Sequence, residues 1–296
     1  PDYNGQMYEI KNANLSLNVT ANHRMYISKT YGRKQIWQPY QLVEAKDMFG
    51  KFCKFKKNGE LVQPEYQFIL QEITDGNNKL RPTKIVDMNA WLTFFGIWYA
   101  EGWCNDNTNS EKKTYTTTIS VNKQRVKDAL YPALTLLEYN YYYNEDSEKC
   151  NINDIQLYNY MNPLSVGAIN KTLPDWVWNL SKTQCITLLE SMVLGDGCYR
   201  TRNNSCIIYY TSSDKLADDV MRLALHCGWC CNKILHLPVG NTTTMLDGRQ
   251  ITSTSICWRL GIIKNKCEPS INHGHTYEQD IQVERLYDYE GSVYCI

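Results

Sequence analysis

Apolar residues recur three and four positions apart in four stretches of the chain, the spacing that lines one face of a helix. This periodicity predicts helices over about residues 89–101, 124–138, 182–195 and 214–227. The last of them has Ser212 or Ser213 in front of it as an N-cap and Gly228 behind it at the C′ position.

Runs rich in β-branched and aromatic residues predict strands between these helices. They are TYTTTISVN (114–122), CIIYYTS (206–212), KILHLPV (233–239) and SICWRLGII (255–263), of which the first and the last alternate between polar and apolar faces. From Met88 the order is helix, strand, strand or hairpin, helix, and a similar order begins again at Trp176. The sequence therefore predicts an internal duplication that is visible in element order rather than in residue identity.

The two ends of the chain have a different pattern. Residues 1–72 and 268–296 carry short β-rich segments such as LSLNVT and SVYCI, separated by Asn, Gly and Lys. Residues 73–87, ITDGNNKLRPTKIVD, are rich in turn-forming residues and are predicted to be a linker. We expect the two ends to form one β unit that is interrupted by a central domain over residues 88–267.

Composition changes this picture little. Hydrophobic residues make up 43% of the chain and charged residues 21%, and no apolar stretch is long enough to span a bilayer. We expect a soluble, intracellular protein, cytoplasmic or nuclear, with no membrane partner. Its twelve cysteines are then reduced thiols, with a disulfide framework as the alternative. The chain has no net charge, which by itself counts against a polyanionic partner.

Two of the predicted helices share a pattern at their C-terminal ends. GIWYAEG (96–102) and SMVLGDG (191–197) each place small residues four positions apart and then an acid and a glycine. If the bare faces meet, Glu101 and Asp196 emerge at the same end of the pair. Carboxylates at two negative helix ends repel each other, so either one is protonated or a cation lies between them. The alternative for each copy alone is an exposed acid followed by an ordinary glycine cap.

At these two motifs the chain resembles the LAGLIDADG homing endonucleases, whose motif helices form the interface between two halves. The resemblance implies an α+β fold: a pseudo-symmetric, duplicated αββαββα domain with halves of about 88–172 and 173–267 and antiparallel sheets that form a saddle. It further implies a monomer that cuts double-stranded DNA with metals held by Glu101 and Asp196. Hard oxygen ligands of this kind suit Mg²⁺, with Ca²⁺ as a substitute that does not support catalysis.

Further site residues follow from the resemblance. NKTLPDW (170–176) is similar to an intein-endonuclease block that carries a catalytic lysine, which gives that role to Lys171. For the second half we choose Lys264, with Lys233 as the competitor. Asn122 stands where the first half usually has a polar residue that organises water.

DNA contacts are expected on the polar faces of the strands and on nearby basic residues. In TYTTTISVN the short hydrogen-bonding side chains share one face, and in SICWRLGII a lone arginine lies on the polar face. A half-solvated sheet explains the same alternation. The predicted DNA-binding residues are Thr116, Thr118, Ser120, Lys123, Arg125, Arg200, Arg202 and Arg259.

The flanking β segments resemble the Hint domain of protein splicing. Thr20-Ala-Asn-His23 is similar to its TxxH block, in which the two polar residues lie at adjacent ends of one turn, and EGSVYCI is similar to the penultimate intein block with Cys295. Host-protein exteins would be the partners in a full-length precursor. The chain starts with Pro1 and ends with Ile296 instead of the splice-junction residues, so we expect it not to splice. A catalytically inactive DNA-binding domain and a splicing element remain the alternatives to an active nuclease.

Overall fold

The computed structural model describes residues 1–12, 14–31, 36–106, 114–200, 205–244, 248–265, 267–272 and 282–294. The chain divides into two units, one made of residues 1–59 and 265–296 and the other of residues 60–264. Cys295 and Arg202 lie outside the described residues.

The first part of the chain is made of short strands and one 3-10 turn at Ala45–Met48. The strands are β1 (Asp2–Asn12), β2 (Leu15–Thr20), β3 (Arg24–Tyr31), β4 (Ile36–Trp37), β5 (Gln41–Glu44), β6 (Cys53–Phe55), β7 (Ile69–Leu70), β8 (Ile73–Thr74), β9 (Leu80–Arg81) and β10 (Lys84–Ile85).

Helices and strands then alternate. The elements up to residue 161 are α1 (Met88–Glu101), β11 (Gly102–Asp106), β12 (Tyr115–Ser120), α2 (Gln124–Leu136), β13 (Tyr141–Asn144), β14 (Lys149–Ile152) and α3 (Ile155–Met161). After three 3-10 turns follow α4 (Lys182–Asp196), β15 (Gly197–Tyr199), β16 (Cys206–Thr211), α5 (Asp214–His226), β17 (Cys230–Leu237), β18 (Thr242–Thr244), β19 (Gln250–Thr252) and β20 (Cys257–Ile263). The chain closes with β21 (Ser270–Ile271) and β22 (Gln282–Ser292).

The smaller unit joins the two ends of the chain. β1 pairs antiparallel with β22 along its whole length, from Asp2 opposite Ser292 to Asn12 opposite Gln282. β1 also pairs with β2, and a second sheet contains β21, β6, β3, β4 and β5. Alternate residues such as Tyr8 and Ile10 are fully buried in the core of this unit. The two end segments of the chain therefore belong to one unit.

The larger unit contains two four-stranded antiparallel sheets with the same strand order. One runs β11-β12-β14-β13 and the other β15-β16-β20-β17. α1 packs on β11 and β12, and α4 packs on β15 and β16. In the first half α3 follows the sheet, whereas the second half carries the hairpin β18–β19 and, within the described residues, ends at β20. The predicted third helix of the second half is therefore not found there.

The segment 73–87, predicted to be a linker, belongs to the larger unit. Its turn-forming residues close the hairpin β8–β9, where Asp75 Oδ1 accepts hydrogen bonds from the backbone N–H groups of Asn77 and Lys79 at 3.0 Å each. Val86 is buried in the core of this unit. The boundary between the two units lies between residues 59 and 60. The turn-forming residues of segment 73–87 therefore mark a hairpin and not a domain boundary.

The helix α1 is apolar on nearly every side and is accordingly buried. Its largest buried side chains, Trp91 and Trp98, are at most 1% exposed. In the described part of the chain, no helix is both long enough and apolar enough to cross a membrane.

Candidate active site

The small-residue faces of α1 and α4 meet, as the sequence predicts. A Cβ atom added at Gly96 would lie 2.7 Å from Ser191 Cβ and 2.9 Å from the carbonyl oxygen of Leu188. A Cβ atom added at Gly195 would lie 2.4 Å from Ala100 Cβ. Real Cβ atoms do not approach other atoms this closely, so the two helix backbones pack at a distance that larger residues would not allow.

The glycines that follow the two acids have a packing role. Gly102 and Gly197 have φ angles of −110° and −132°, which are extended, and each begins a strand directly after its helix. A Cβ at Gly102 would lie 2.2 Å from Trp98 Cδ1, and one at Gly197 would lie 2.9 Å from the carbonyl oxygen of Ile208. The alternative of an ordinary glycine cap is wrong at both positions, because neither glycine adopts the left-handed conformation of such a cap.

Lys123 bridges the ends of the two helices. Its ammonium group lies 2.5 Å from Glu101 Oε1 and donates to the carbonyl oxygen of Gly195 at 2.7 Å. The side chain of Glu101 is 16% exposed and that of Lys123 is 38% exposed, so the carboxylate is largely buried and the ammonium side of the pair faces solvent. Lys123 is the residue immediately before α2, and this position directs its side chain to the helix ends.

Two more cations bind the terminal carbonyls of the paired helices. Arg125 Nε donates to the carbonyl oxygen of Leu194 at 2.7 Å and Arg125 Nη2 to that of Gly197 at 3.0 Å. Lys171 Nζ donates to the carbonyl oxygen of Tyr99 at 2.6 Å. The last carbonyls of a helix lack partners inside the helix and carry partial negative charge. The positive charge that the sequence predicts near the two acids is thus supplied by basic side chains of the protein.

The charges of this cluster perturb one another. The pKa of Asp196 is raised to about 6, chiefly by burial; the ammonium group of Lys171 opposes this rise, the carboxylate of Glu101 adds to it, and Lys123 opposes it. Burial lowers the pKa of Lys171, and the carboxylates of Asp196 and Glu101 oppose that shift. Asp196 therefore changes protonation close to neutral pH, which is unusual for an aspartate and typical of functional sites.

A buried tyrosine lies on the strand beside this cluster. Tyr209 in β16 is opposite Gly197, the residue after Asp196, and is fully buried. Within the described part of the chain its hydroxyl group has no hydrogen-bond partner. Burial and the nearby Asp196 carboxylate raise its pKa. Tyr209 was not among the predicted site residues, because in sequence it is one of several aromatic residues in a strand.

The oxygen atoms at the helix ends are the kind of ligand that a hard cation prefers. They are the carboxylates of Glu101 and Asp196 and the carbonyl oxygen of Gly195, which together with Glu101 holds the ammonium of Lys123. No group of three or more His, Cys, Asp or Glu side chains with metal-binding geometry occurs among the residues that the structure describes. A metal here would therefore need backbone carbonyls, water or substrate oxygens besides the two carboxylates.

The two candidate lysines of the second half have other carboxylate partners. Lys264 Nζ pairs with Glu190 Oε1 at 2.5 Å and lies 4.4 Å from the centre of the Trp229 ring. Its competitor Lys233 pairs through Nζ with Asp214 and Asp218 at 2.6 and 2.8 Å. The role of Lys264 in catalysis stays a prediction.

The sheet face of the first half differs in detail from the expectation. Thr116 and Thr118 share a face, as predicted, but Thr118 is 2% exposed and donates its hydroxyl hydrogen to Asn151 Oδ1 at 2.9 Å. Thr116 donates in the same way to Asn153 Oδ1 at 2.8 Å. Ser120 is half-buried at the end of this strand. The two asparagines were missed, although the alternation Asn151-Ile152-Asn153 could have revealed them.

The remaining predicted residues are spread over the unit. Asn122 is exposed and directly precedes Lys123. Arg259 is half-buried on β20 between Tyr210 and Ile234 of the neighbouring strands, and Arg200 is exposed after β15. Lys123 and Arg125 are engaged at the helix ends, and their predicted contact with DNA stays a prediction.

The predicted splicing residues lie at a turn in the smaller unit. The backbone N–H of His23 donates to the carbonyl oxygen of Thr20 at 2.9 Å, so the two residues flank one turn. The His23 residue is exposed. Cys295, the third residue of this group, is not among the described residues, so its position relative to the turn stays a prediction.

No protein-family model matches the chain. The whole chain aligns over 332 residues, at 36% identity, with 30% of the DNA-directed RNA polymerase subunit beta C-terminal section of Stigeoclonium helveticum. A stretch covering 88% of the chain aligns at 38% identity with 26% of the ATP-dependent Clp protease proteolytic subunit of Chlamydomonas moewusii. The chain thus spans less than a third of the length of these relatives.

Comparison by structure finds the homing endonuclease I-DmoI. Mesophilic variants of that enzyme match with a TM-score of 0.40 and 12% identity, covering 59% of this chain and 87% of that one. Its complex with DNA and Mn matches with a TM-score of 0.37 and 13% identity, covering 59% and 88% of the two chains. The complex with DNA and Ca gives a TM-score of 0.39 and 12% identity, covering 59% and 82%.

Proposed function

We propose that the protein is an intein-derived, site-specific homing endonuclease of the LAGLIDADG type that makes double-strand breaks by metal-dependent phosphodiester hydrolysis. The observation that carries this proposal is the meeting of two helices on small residues, which brings Glu101 and the end of α4 at Asp196 together. Under this proposal the larger unit is the nuclease and the smaller unit is a Hint-like splicing domain. It acts on double-stranded DNA as a monomer, since both halves of the site belong to one chain.

Each charged residue of the cluster has a role in this chemistry. Glu101 and Asp196 would hold the divalent metal, for which we propose Mg²⁺, together with the Gly195 carbonyl. When bound, the metal would activate a water nucleophile and stabilise charge on the attacking and leaving oxygens. Lys171 places a positive charge beside the carboxylates, where it can stabilise negative charge on a scissile phosphate. Asn122 would orient water at the edge of the site.

The structure offers a test of whether these residues fit a cation. The ammonium group of Lys123 is itself a cation, and a carboxylate and a backbone carbonyl bind it at 2.5 and 2.7 Å. The same donor atoms suit Mg²⁺ or Ca²⁺, because both prefer oxygen ligands. The helix ends add negative charge to that of the carboxylates. The residues therefore fit a divalent metal, provided that Lys123 moves aside.

The sequence relatives support a mobile element. The chain is related to parts of two proteins that, by name, belong to an RNA polymerase and to a protease. These two names describe unrelated activities, so a shared segment is best explained by insertion into both. A nuclease that cuts the uninterrupted gene would account for such insertion.

The test uses duplexes that join the sequences flanking the related segment in these two genes. We expect a double-strand cut near the junction in Mg²⁺, and binding without cutting in Ca²⁺. Glu101→Gln and Asp196→Asn should abolish cutting and leave the Kd within about threefold, because neither change removes a predicted base contact. Glu190→Gln is the matched control, since Glu190 lies on α4, as Asp196 does, and its carboxylate pairs with Lys264.

One result would contradict the proposed active site, and another would contradict the nuclease activity itself. Normal cutting by both Glu101→Gln and Asp196→Asn would show that these carboxylates take no part in the hydrolysis. Specific binding by the wild type, with no cutting in Mg²⁺, would favour a DNA-binding domain that lacks nuclease activity.

A second candidate function is protein splicing. It is favoured by the related segments within two different host proteins, because an inserted segment must be removed if the host is to be made whole. Thr20 and His23 at one turn fit this proposal. The test is to add splice-junction residues and flanking polypeptides at both ends and to look for ligated flanks by mass spectrometry. Absence of ligation in both host contexts would contradict it.

A further inference from the structure

Two identical side-chain pairs lie on the polar face of the first sheet. Thr118 Oγ1 donates to Asn151 Oδ1 at 2.9 Å, and Thr116 Oγ1 donates to Asn153 Oδ1 at 2.8 Å. The register places Thr118 directly opposite Asn151 in the neighbouring strand. Since residues two apart on a strand point to the same side, the second pair repeats the first along the same face.

In the inner pair the threonine lies beneath the asparagine. Thr118 is 2% exposed, so its hydroxyl group cannot reach a molecule on the surface. Asn151 is half-buried and Asn153 is exposed. Each carboxamide is therefore held by its oxygen from the protein side, and in the described part of the structure neither Nδ2 group donates to a protein atom.

In this arrangement the Oδ1 end of each amide is engaged by a threonine and, among the residues that the structure describes, the NH₂ end is free. An unrestrained asparagine can turn its carboxamide over and offer either an acceptor or two donors. A threonine hydroxyl that donates to Oδ1 favours the orientation in which Oδ1 faces the sheet and the NH₂ group faces outward. Both asparagines therefore present N–H donors.

We propose that Asn151 and Asn153 are specificity-determining residues that donate hydrogen bonds to base edges in the major groove, and that Thr116 and Thr118 are their positioning residues. This inference rests on the proposed function, because it needs DNA on this sheet. It differs from the sequence-based expectation, in which the threonines themselves contact the bases.

The orientation of the amides implies a base preference. Guanine offers two adjacent acceptors, N7 and O6, in the major groove, whereas adenine offers an acceptor beside a donor. A carboxamide that presents its NH₂ group therefore favours guanine. Side chains two residues apart on a strand are about 6.8 Å apart, and successive bases are about 3.4 Å apart. The two asparagines thus face positions about two bases apart.

The test is selection from random duplexes in Ca²⁺, which separates binding from cutting. The wild type is compared with Thr116→Val and Thr118→Val, which keep the side-chain shape and remove the hydroxyl group. We expect discrimination at one base position to fall about fivefold or more in each variant, because a good base contact is worth roughly 1–3 kcal/mol. Affinity for non-specific duplex should stay within about twofold, since phosphate contacts set it.

Thr135→Val is the matched control. Its hydroxyl group donates to the carbonyl oxygen of Tyr131 within α2, so the change removes a threonine hydrogen bond outside the sheet. Its base preferences should equal those of the wild type. Thermal unfolding of each variant identifies any that fails to fold.

Asn151→Asp is the sharper variant, because it keeps the acceptor for Thr118 and replaces the amide donors with a carboxylate oxygen. A carboxylate accepts from the N4 amino group of cytosine, so the preferred base at that position should change from guanine to cytosine. Variants whose base preferences equal those of the wild type would overturn this inference and leave the nuclease proposal intact. A wild-type protein that enriches no sequence would instead overturn the proposed function, and this inference with it.

Discussion

Lys123 and Glu101 form an ion pair of 2.5 Å at the point where two helices end. The same ammonium group donates to the carbonyl oxygen of Gly195 on the other helix. The ammonium group of Lys123 therefore neutralises both a carboxylate and a helix end. It binds the same oxygen atoms that the proposed metal would use as ligands.

Because metal and ammonium share these oxygens, removing the lysine should favour the metal. We expect Lys123→Met to bind Ca²⁺ about fivefold more tightly than the wild type in the absence of DNA, because a half-exposed ion pair is worth about 1 kcal/mol. Calorimetric titration with Ca²⁺ measures this. Lys264→Met is the control, since it removes an ion pair of equal length with Glu190, away from the helix ends. Equal affinities in wild type and Lys123→Met would show that the ammonium does not compete with the metal.

Asp196 should make stability depend on pH. Its pKa in the folded protein is about 6, above the ordinary 3.8, so the folded state keeps the proton over this range while the unfolded state loses it. Stability from this group is therefore fully present below pH 4 and is lost as the pH rises to 6. Asp196→Asn should raise the free energy of unfolding by roughly 2–3 kcal/mol at pH 7 and by little near pH 4.

The measurement is denaturant unfolding in EDTA at both pH values. Glu101→Gln is the comparison, because it loses the ion pair with Lys123 and should give no gain at pH 7. An Asp196→Asn protein no more stable than the wild type at pH 7 would contradict the burial argument.

The close contact of α1 and α4 should not tolerate a methyl group. Gly96→Ala and Gly195→Ala place Cβ atoms 2.7 Å from Ser191 Cβ and 2.4 Å from Ala100 Cβ. Alanine improves helix propensity by about 1 kcal/mol, but overpacking costs about 1–3 kcal/mol or more and should dominate. Thermal unfolding should show a lower Tm for both. Gly261→Ala, where a Cβ meets nothing within 4 Å, should keep the wild-type Tm.

The unpartnered hydroxyl group of Tyr209 should not contribute to stability. Tyr209→Phe removes a buried polar group without a hydrogen bond among the described residues, so the free energy of unfolding should stay the same or rise by about 1 kcal/mol. Tyr99→Phe is the matched change, because Tyr99 is equally buried but donates to the carbonyl oxygen of Thr172. It should cost about 1–2 kcal/mol. A large loss in Tyr209→Phe would indicate that this hydroxyl has a partner in solution.

Much of the local structure follows from periodicity. The helices predicted over 89–101, 124–138, 182–195 and 214–227 are confirmed within two residues at each end, with Ser213 as the N-cap of the last one. Gly228 has a φ of 77° and fits the predicted C′ position. These features depend on neighbours in the chain, which is why a single sequence specifies them.

Part of the site follows in the same way. Small residues four positions apart predicted which faces of α1 and α4 meet, and the acids at their ends predicted a nearby cation. The identity of that cation was not predictable. Lys123 and Arg125 were predicted to contact DNA and Lys171 to act in catalysis, since nothing in the local pattern says which basic side chain reaches a helix end.

The sequence by itself determined the elements, their repeated order and the small faces on which two helices meet, because these depend on spacing along the chain. The tertiary structure alone decided that Lys123 binds Glu101, that Lys264 binds Glu190, and that Thr118 lies beneath Asn151. Which partner a polar side chain binds depends on distances and burial that exist only in the folded chain. The residues in these three contacts are 22 to 74 positions apart in the sequence, so no local pattern predicts the contacts.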